Sequence, residues 1–255
     1  MKPFVFIVPL RARARCRNWT LTSALCVRAV SSMLAVEEEG VRVILVCNER
    51  PEGLANDERL RVIEEDFPVP EPSGKAPLED KFRKIHRGLV EAKPLMPGYL
   101  MLADADDCIS NRLCPWILSR SEPGNWRLSR GYLHDEGSST VLVHPEFHLQ
   151  CGTSHVAWCQ AEDLPDDAGS GMGSCFWLRF GHHIIDEEMA RLGRPFQDVP
   201  FPGAVYVVGH PDNYTAFRLS DWSGWRQKIF RWTRTRPLTA SLRREFNLYR
   251  LKSLE

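Results

Sequence analysis

The chain opens on Phe4-Val5-Phe6-Ile7-Val8, an unbroken apolar run of β-branched and aromatic residues that stops at Pro9. A run without polar alternation predicts a strand buried on both faces, as in a parallel sheet. From Trp19 to Val36 the apolar positions Leu21, Leu25, Ala29, Met33 and Val36 recur at helical spacing. Val41 to Cys47 reads as a second buried strand closed by Asn48-Glu49-Arg50-Pro51, and Leu60 to Ile63 as a weaker third. Phe67 to Pro77 holds four prolines and a glycine and reads as a loop. Glu79 to Ala92 predicts a helix with Phe82, Ile85 and Leu89 on one face and Lys81, Arg83, Lys84 and Arg87 elsewhere. Tyr99 to Leu102 is the next buried strand. Strands alternating with helices predict βαβ units around a parallel sheet.

Past Leu102 the pattern changes. The carboxylates of Asp104, Asp106 and Asp107 come first, then a short helix over Asn111 to Ser119. Trp126 to Leu133 and Ser139 to His144 predict a hairpin. Cys151-Gly152-Thr153-Ser154-His155 reads as a strand-to-helix turn, and the glycine-rich, acidic stretch Ala161 to Ser174 as a mobile loop. His182 to Leu192 predicts a helix ending at Gly193, and Gly203 to Val208 a late strand running into Gly209-His210-Pro211-Asp212-Asn213. From Asp221 onward nine Lys or Arg stand against three acids, with Trp222, Trp225, Phe230, Trp232, Phe246 and Tyr249 interleaved. Such a tail fits an amphipathic helix, either lying on an anionic bilayer or packed back with its basic face in water.

Composition narrows the class. With 255 residues, 43% hydrophobic and 26% charged, the chain has the make-up of an ordinary globular protein. A formal net charge of zero gives no global attraction to nucleic acid. No run reaches transmembrane length, and the apolar stretch before Arg11 is too short for a signal peptide. The expected location is cytoplasmic, peripheral at the inner face of the membrane if the tail meets lipid. Eight cysteines, none in a Cys-x-x-Cys pair, predict buried free thiols.

The chemistry concentrates at Leu102-Ala103-Asp104-Ala105-Asp106-Asp107, where a buried strand ends in carboxylates. Side chains two apart on an extended chain point the same way, so Asp104 and Asp106 would project together past the strand end. That edge of an open α/β sheet is where ligands bind, and hard oxygen donors there suit Mg²⁺ or Mn²⁺ holding a diphosphate. The other reading is an acidic turn whose side chains cap the helix that follows.

Four pieces in order carry a resemblance over about residues 4 to 215. They are the opening strand into Val8-Pro9-Leu10-Arg11, strand two ending at Glu49, the basic helix Asp80-Lys81-Phe82-Arg83-Lys84, and the aspartate motif. Together they resemble a nucleotide-sugar-dependent glycosyltransferase of the GT-A type, close to the large family-2 group. The resemblance implies an α/β fold, a Rossmann-like and mostly parallel sheet flanked by helices, with a smaller mixed region on the acceptor side. Residues 1–110 would form the nucleotide-sugar-binding half, 111–220 the acceptor-binding half and 221–255 the basic aromatic tail. The implied activity is metal-dependent, inverting transfer of a sugar from a nucleotide-diphosphate donor to a glycan or lipid-linked acceptor.

By the same resemblance Asp106 would hold Mn²⁺ or Mg²⁺ against the diphosphate, Asp104 would contact ribose or metal, and His210 would be a further metal ligand. Pro9, Arg11 and Glu49 would line the nucleoside pocket. Lys81 or Lys84 would approach the base or the diphosphate, unless each is only part of a solvated helix face. Gly152, Thr153 and Ser154 would border donor sugar and acceptor, or form a simple tight turn. The chain departs from the family at the late helix, where a Glu-Asp pair usually supplies the base. Here Gly181-His182-His183 is followed a turn later by Asp186, Glu187 and Glu188. His182, His183 or Asp186 would then be the base, or the histidines only start a helix. The rival reading is a non-catalytic sugar-nucleotide or glycan-binding relative that kept the fold. A nucleotidyltransferase shares the sheet but normally carries a glycine-rich loop where this chain has Pro9-Leu10-Arg11-Ala12-Arg13.

Overall fold

The computed structural model describes residues 2–72, 74–167, 181–213 and 218–251. All of β1 (Phe4–Pro9) is buried: it is paired on both edges by parallel neighbours, β2 (Val41–Cys47) and β4 (Gly98–Leu102), and both its faces are covered. The registers Phe4↔Val41 and Phe4↔Tyr99 start all three strands level. Beyond β2, β3 (Leu60–Glu64) adds a further parallel strand. With side chains alternating across the sheet, Phe4, Phe6 and Val8 pack with Cys26, Ala29 and Met33 of α1 (Trp19–Leu34). Val5 and Ile7 pack on the other face with Ile85 and Leu89 of α2 (Ala76–Ala92). The parallel α/β core read from the first hundred residues is therefore present, with helices on both faces.

The local signals explain the helix limits. Asn18 accepts a hydrogen bond from Leu21 N at 3.0 Å and caps α1. The second helix starts three residues ahead of the predicted Glu79, because Pro77 sits in its first turn, where a fixed φ and a missing N–H do no harm. A short helix, α3 (Leu113–Leu118), lies within the span predicted for it.

Two corrections apply to the second half. The predicted strand Trp126 to Leu133 is two strands in two sheets, β6 (Asn125–Arg127) and β7 (Gly131–Asp135). Trp126 is drawn into the first sheet by edge contact with Trp116, at 4.8 Å between ring centroids. Gly131 sits against Phe147, whose ring would lie 2.3–2.6 Å from any added Cβ. The predicted hairpin is present, formed by β7 with β8 (Thr140–His144). The turn at Cys151–His155 leads into a strand, β9 (His155–Cys159), rather than a helix, because Val156 and Ala157 complete the sheet beside β4.

Among the described residues the first sheet thus has seven strands, β10-β6-β9-β4-β1-β2-β3, with β10 (Phe196–Asp198) at one edge. A five-stranded sheet, β12-β8-β7-β11-β5, completes the fold from β5 (Cys108–Ile109), β11 (Ala204–Val208) and β12 (Thr235–Pro237). The helix predicted from His182 begins later, as α4 (Ile185–Arg191), and closes at Gly193, whose φ of +72° suits glycine. The tail forms α5 (Trp225–Arg234), β12 and α6 (Ala240–Glu245). Part of the predicted loop Ala161 to Ser174 lies outside the described residues, as does Cys175. The seven described cysteines are free, all but Cys16 buried. Among the described residues no helix is long and apolar enough to cross a membrane.

Candidate functional site

Strand β4 stops at Leu102, and Ala103 N still donates to Ile7 O at 3.0 Å. The chain then turns, closed by Asp107 N donating to Asp104 O at 3.2 Å. A turn therefore replaces the extended strand end expected for Asp104 and Asp106, and each of the three carboxylates takes a different hydrogen-bond partner. None of them caps α3, whose first residue follows Arg112 with no side-chain cap.

Asp104 forms an ion pair with Lys81 of α2 and anchors its own N–H on Thr153 Oγ1 at 2.9 Å. Asp106 Oδ2 lies 2.9 Å from His210 Nε2, brought in by the loop after β11. Asp107 points inward and accepts from Thr153 Oγ1 at 2.6 Å, Cys151 Sγ at 3.1 Å and Val207 N at 3.2 Å. It thereby ties the acidic turn to the Gly152 turn and to β11.

These environments separate the acids electrostatically. Burial works to raise the Asp106 pKa, but the hydrogen bond and charge of His210 and the charge of Lys81 prevail, and the net direction is down. For Asp107, burial first and then the charges of Asp106 and Asp104 push the carboxyl well above its ordinary range. Burial would lower the Lys81 pKa, but Asp104, with Asp106 and Asp107 behind it, holds the ammonium charged.

Gly152 is the meeting point of the next group. A Cβ added there would stand 3.8 Å from Asp104 Oδ2 and 3.9 Å from His182 Nδ1. His182 stacks on the exposed His183 at 3.8 Å between ring centroids. Its pKa falls to about 4, through burial first and then the positive fields of His183, His155 and Lys81. The imidazole is therefore neutral at physiological pH. Asp186 lies further back, 3.3 Å from His155 Nε2 and 3.2 Å from Arg127 Nη1. Burial raises its pKa, but the hydrogen bond and charge of His155 prevail and keep it low.

On the other side, Asp212 collects the loop after β1. It accepts from Arg17 N at 2.8 Å, Asn18 N at 3.2 Å, Thr22 Oγ1 at 3.0 Å and Arg11 Nη1 at 3.4 Å. A carboxylate at the first turn of α1 also meets the positive end of that helix. Glu49 accepts from Arg13 N at 2.9 Å, and Pro9 is buried at the end of β1. The loop 209–213 thus carries two anchors, His210 on the acidic turn and Asp212 on the arginine-rich loop.

Three sequence-derived assignments change in character. Lys84 is 1% exposed and donates to Leu10 O at 2.9 Å and Asp80 Oδ2 at 2.8 Å, so it supports the Leu10 loop from inside and presents no amine to a ligand. Thr153 and Ser154 are wholly buried, with Ser154 Oγ donating to Cys151 O at 2.7 Å. Gly152 faces the Asp104 and His182 side chains. Lys81, Asp104, Gly152 and His182 come together, as do Asp106 and His210, with Arg11 linked through Asp212. Sequence reasoning missed Asp107 as the internal brace and Asp212 as the loop anchor. The signal for Asp212 was its place two residues beyond His210, in the turn that follows a strand.

Mg²⁺ or Mn²⁺ is testable against these donors. Among the described residues no three ligating side chains converge. Asp106 and His210, now hydrogen-bonded to each other at 2.9 Å, would supply two donors, giving up that bond to the ion. The remaining positions would fall to phosphate and water, an arrangement Mg²⁺ tolerates. His210 Nδ1 is buried without a hydrogen-bond partner among the described residues.

Comparison of the sequence with protein-family models finds no match, and comparison with curated proteins finds none. Among solved structures, the 2-C-methyl-D-erythritol 4-phosphate cytidylyltransferase of Francisella tularensis is similar at 9% identity, over 91% of this chain and 99% of that one, with a TM-score of 0.41. The bifunctional IspDF of Campylobacter jejuni is similar at 10% identity over 89% of this chain, with a TM-score of 0.35, and the match spans 54% of its length. A mannose-1-phosphate geranyltransferase of Thermus thermophilus is similar at 12% identity, over 81% of this chain and 74% of that one, with a TM-score of 0.32. Likeness at these values assigns neither activity nor substrate.

Proposed function

We propose that this protein is a metal-dependent, inverting glycosyltransferase that takes a sugar from a nucleotide-diphosphate donor to a glycan or lipid-linked acceptor. The observation that carries the reading is the pairing of Asp106 with His210 beside Lys81 and Asp104, at the carboxyl edge of parallel strands β1 and β4. A nucleoside diphosphate leaving with accumulating negative charge needs cations and a Lewis acid in that place. Asp106 and His210 would hold Mg²⁺ or Mn²⁺, which supplies that Lewis acid when bound. Lys81 and the guanidinium of Arg11 add fixed positive charge on either side. Pro9 and Glu49 border the nucleoside side of the same edge.

Of the three candidate bases, His182 fits best. It is neutral, lies across Gly152 from Asp104, and among the described residues no hydrogen bond commits its ring nitrogens. Asp186 is engaged by His155 and Arg127, and acts as the brace of the His155 strand. His183 stacks on the outer side of His182. In this mechanism His182 takes the acceptor proton as the acceptor oxygen attacks the anomeric carbon opposite the departing diphosphate.

The test is thermal shift with UDP, GDP, CDP and dTDP, each with Mn²⁺, with Mg²⁺ and with chelator. One nucleotide should stabilise the protein only when metal is present, and Asp106→Asn, which keeps a polar side chain beside His210, should abolish that shift. Equal shifts in wild type and variant, or no shift with any nucleotide, would overturn the proposal.

A further inference from the structure

Helix α5 is amphipathic the wrong way round for a helix that merely packs on its domain. Phe230 turns inward, its ring 5.5 Å from His144 of β8 and 6.0 Å from Trp222. The outward face carries Trp225, Ile229 and Trp232, which are 68%, 53% and 83% exposed. Positions i, i+4 and i+7 form one stripe on a helix, so three large apolar side chains share a single solvent-facing line. Arg226 and Lys228 flank it, also exposed. From Trp222 to Arg244 the sequence has seven basic residues and no acid, in a chain whose 33 basic and 33 acidic residues balance as a whole.

We infer that this face of α5 docks on an anionic lipid bilayer, with Trp225, Ile229 and Trp232 entering the interface and Arg226 and Lys228 meeting the headgroups. Tryptophan favours that zone because an apolar ring body and an N–H suit a boundary between hydrocarbon and water. Clustered arginine and lysine are attracted by the negative surface potential. The partner is set by charge complementarity, since every charged residue from Trp222 to Arg244 is basic and an apolar protein partner alone would not call for that. Docking of this kind does not depend on the chemistry proposed for the aspartate site. The helix nevertheless leaves from beside that site: Leu219 N, just ahead of it, donates to Asp135 Oδ1 at 3.0 Å, and Asp135 also packs against Gly209.

Co-sedimentation of the full chain with phosphatidylcholine vesicles, with or without phosphatidylglycerol, tests this. Binding should be at least about tenfold stronger to the anionic vesicles, weaken with salt and shift tryptophan emission to the blue. The triple variant Trp225→Ser, Ile229→Ser, Trp232→Ser should lose that binding, with its melting temperature unchanged because the three side chains point into solvent. Arg226→Glu with Lys228→Glu should lose the preference for anionic lipid while leaving the apolar stripe intact. No binding to either vesicle, or undiminished binding by the triple variant, overturns the inference. So does a solution dimer that the triple variant dissociates with no lipid binding, since the stripe would then belong to a second copy.

Discussion

Arg28 and Glu136 form a buried ion pair, with 1% and 4% of their side chains exposed. Arg28 Nη1 donates to Glu136 Oε1 at 3.2 Å and to the main-chain carbonyl of Tyr249 at 3.1 Å, while Nη2 donates to Glu136 Oε2. The pair joins α1 to the end of β7 and to the C-terminal segment. Glu136 N also donates to Val208 O at 2.8 Å, just ahead of the His210 loop. Arg28→Ala would strand a carboxylate in a site that excludes water, and Glu136→Ala would strand a guanidinium. Breaking a buried pair in this way costs about 3–5 kcal/mol. An unfolding entropy of roughly 2.1 cal/mol/K per residue over 255 residues makes each kcal/mol worth about 2 °C. Either variant should therefore melt about 6–10 °C lower, with a matching loss in urea unfolding followed by circular dichroism. The double variant Arg28→Met, Glu136→Leu removes both charges and should recover most of the loss, because a buried pair and an apolar replacement are near equal in stability. Single variants within about 1 kcal/mol of wild type, or a double variant no better than the singles, would refute the reasoning.

Further outcomes follow from the same structure. Gly131→Ala should destabilise by about 1–3 kcal/mol, because its methyl meets the buried Phe147 ring, and adding Phe147→Leu should restore part of the loss in a thermal melt. Burial lowers the pKa of His134, His144, His148 and His182, the last to about 4. Below the ordinary value of 6.5 the unfolded chain takes up protons first, so stability is lost as the pH falls from there toward about 4. The melting temperature should drop as the pH is lowered through that window, less so in His182→Asn, and a flat profile would count against the assignment. In turnover assays His182→Asn should lower kcat with donor KM nearly unchanged, whereas Lys81→Ala should raise donor KM.

The parallel core is legible because its central strands are continuous apolar runs, and the first two helices show clear 3.6-residue periodicity. The second half is less so. Trp126 to Leu133 reads as one strand by composition, yet Trp126 and Leu133 belong to different sheets, a division set by tertiary contacts with Trp116 and Phe147. Strands of two or three residues, such as Cys108–Ile109 and Thr235–Pro237, carry too few positions to show a period. At the site, strand-end position points to the aspartates, but not to the turn that sends each one to a different partner. Lys84 looks like a solvated lysine beside Lys81. Its burial follows from the approach of the Leu10 carbonyl, 74 residues away in sequence.

The double anchorage of the loop 209–213 has a consequence for synthesis and assembly. Residues up to 200 contain the acidic turn, Lys81, Arg11 and His182, but neither His210 nor Asp212. While that much of the chain has emerged, the turn lacks its histidine and the arginine-rich loop lacks the carboxylate that gathers it. Docking of β11 supplies both together. Ligand competence should therefore arrive in one late step rather than accumulate, making the site a reporter of the docking of β11 between β7 and β5.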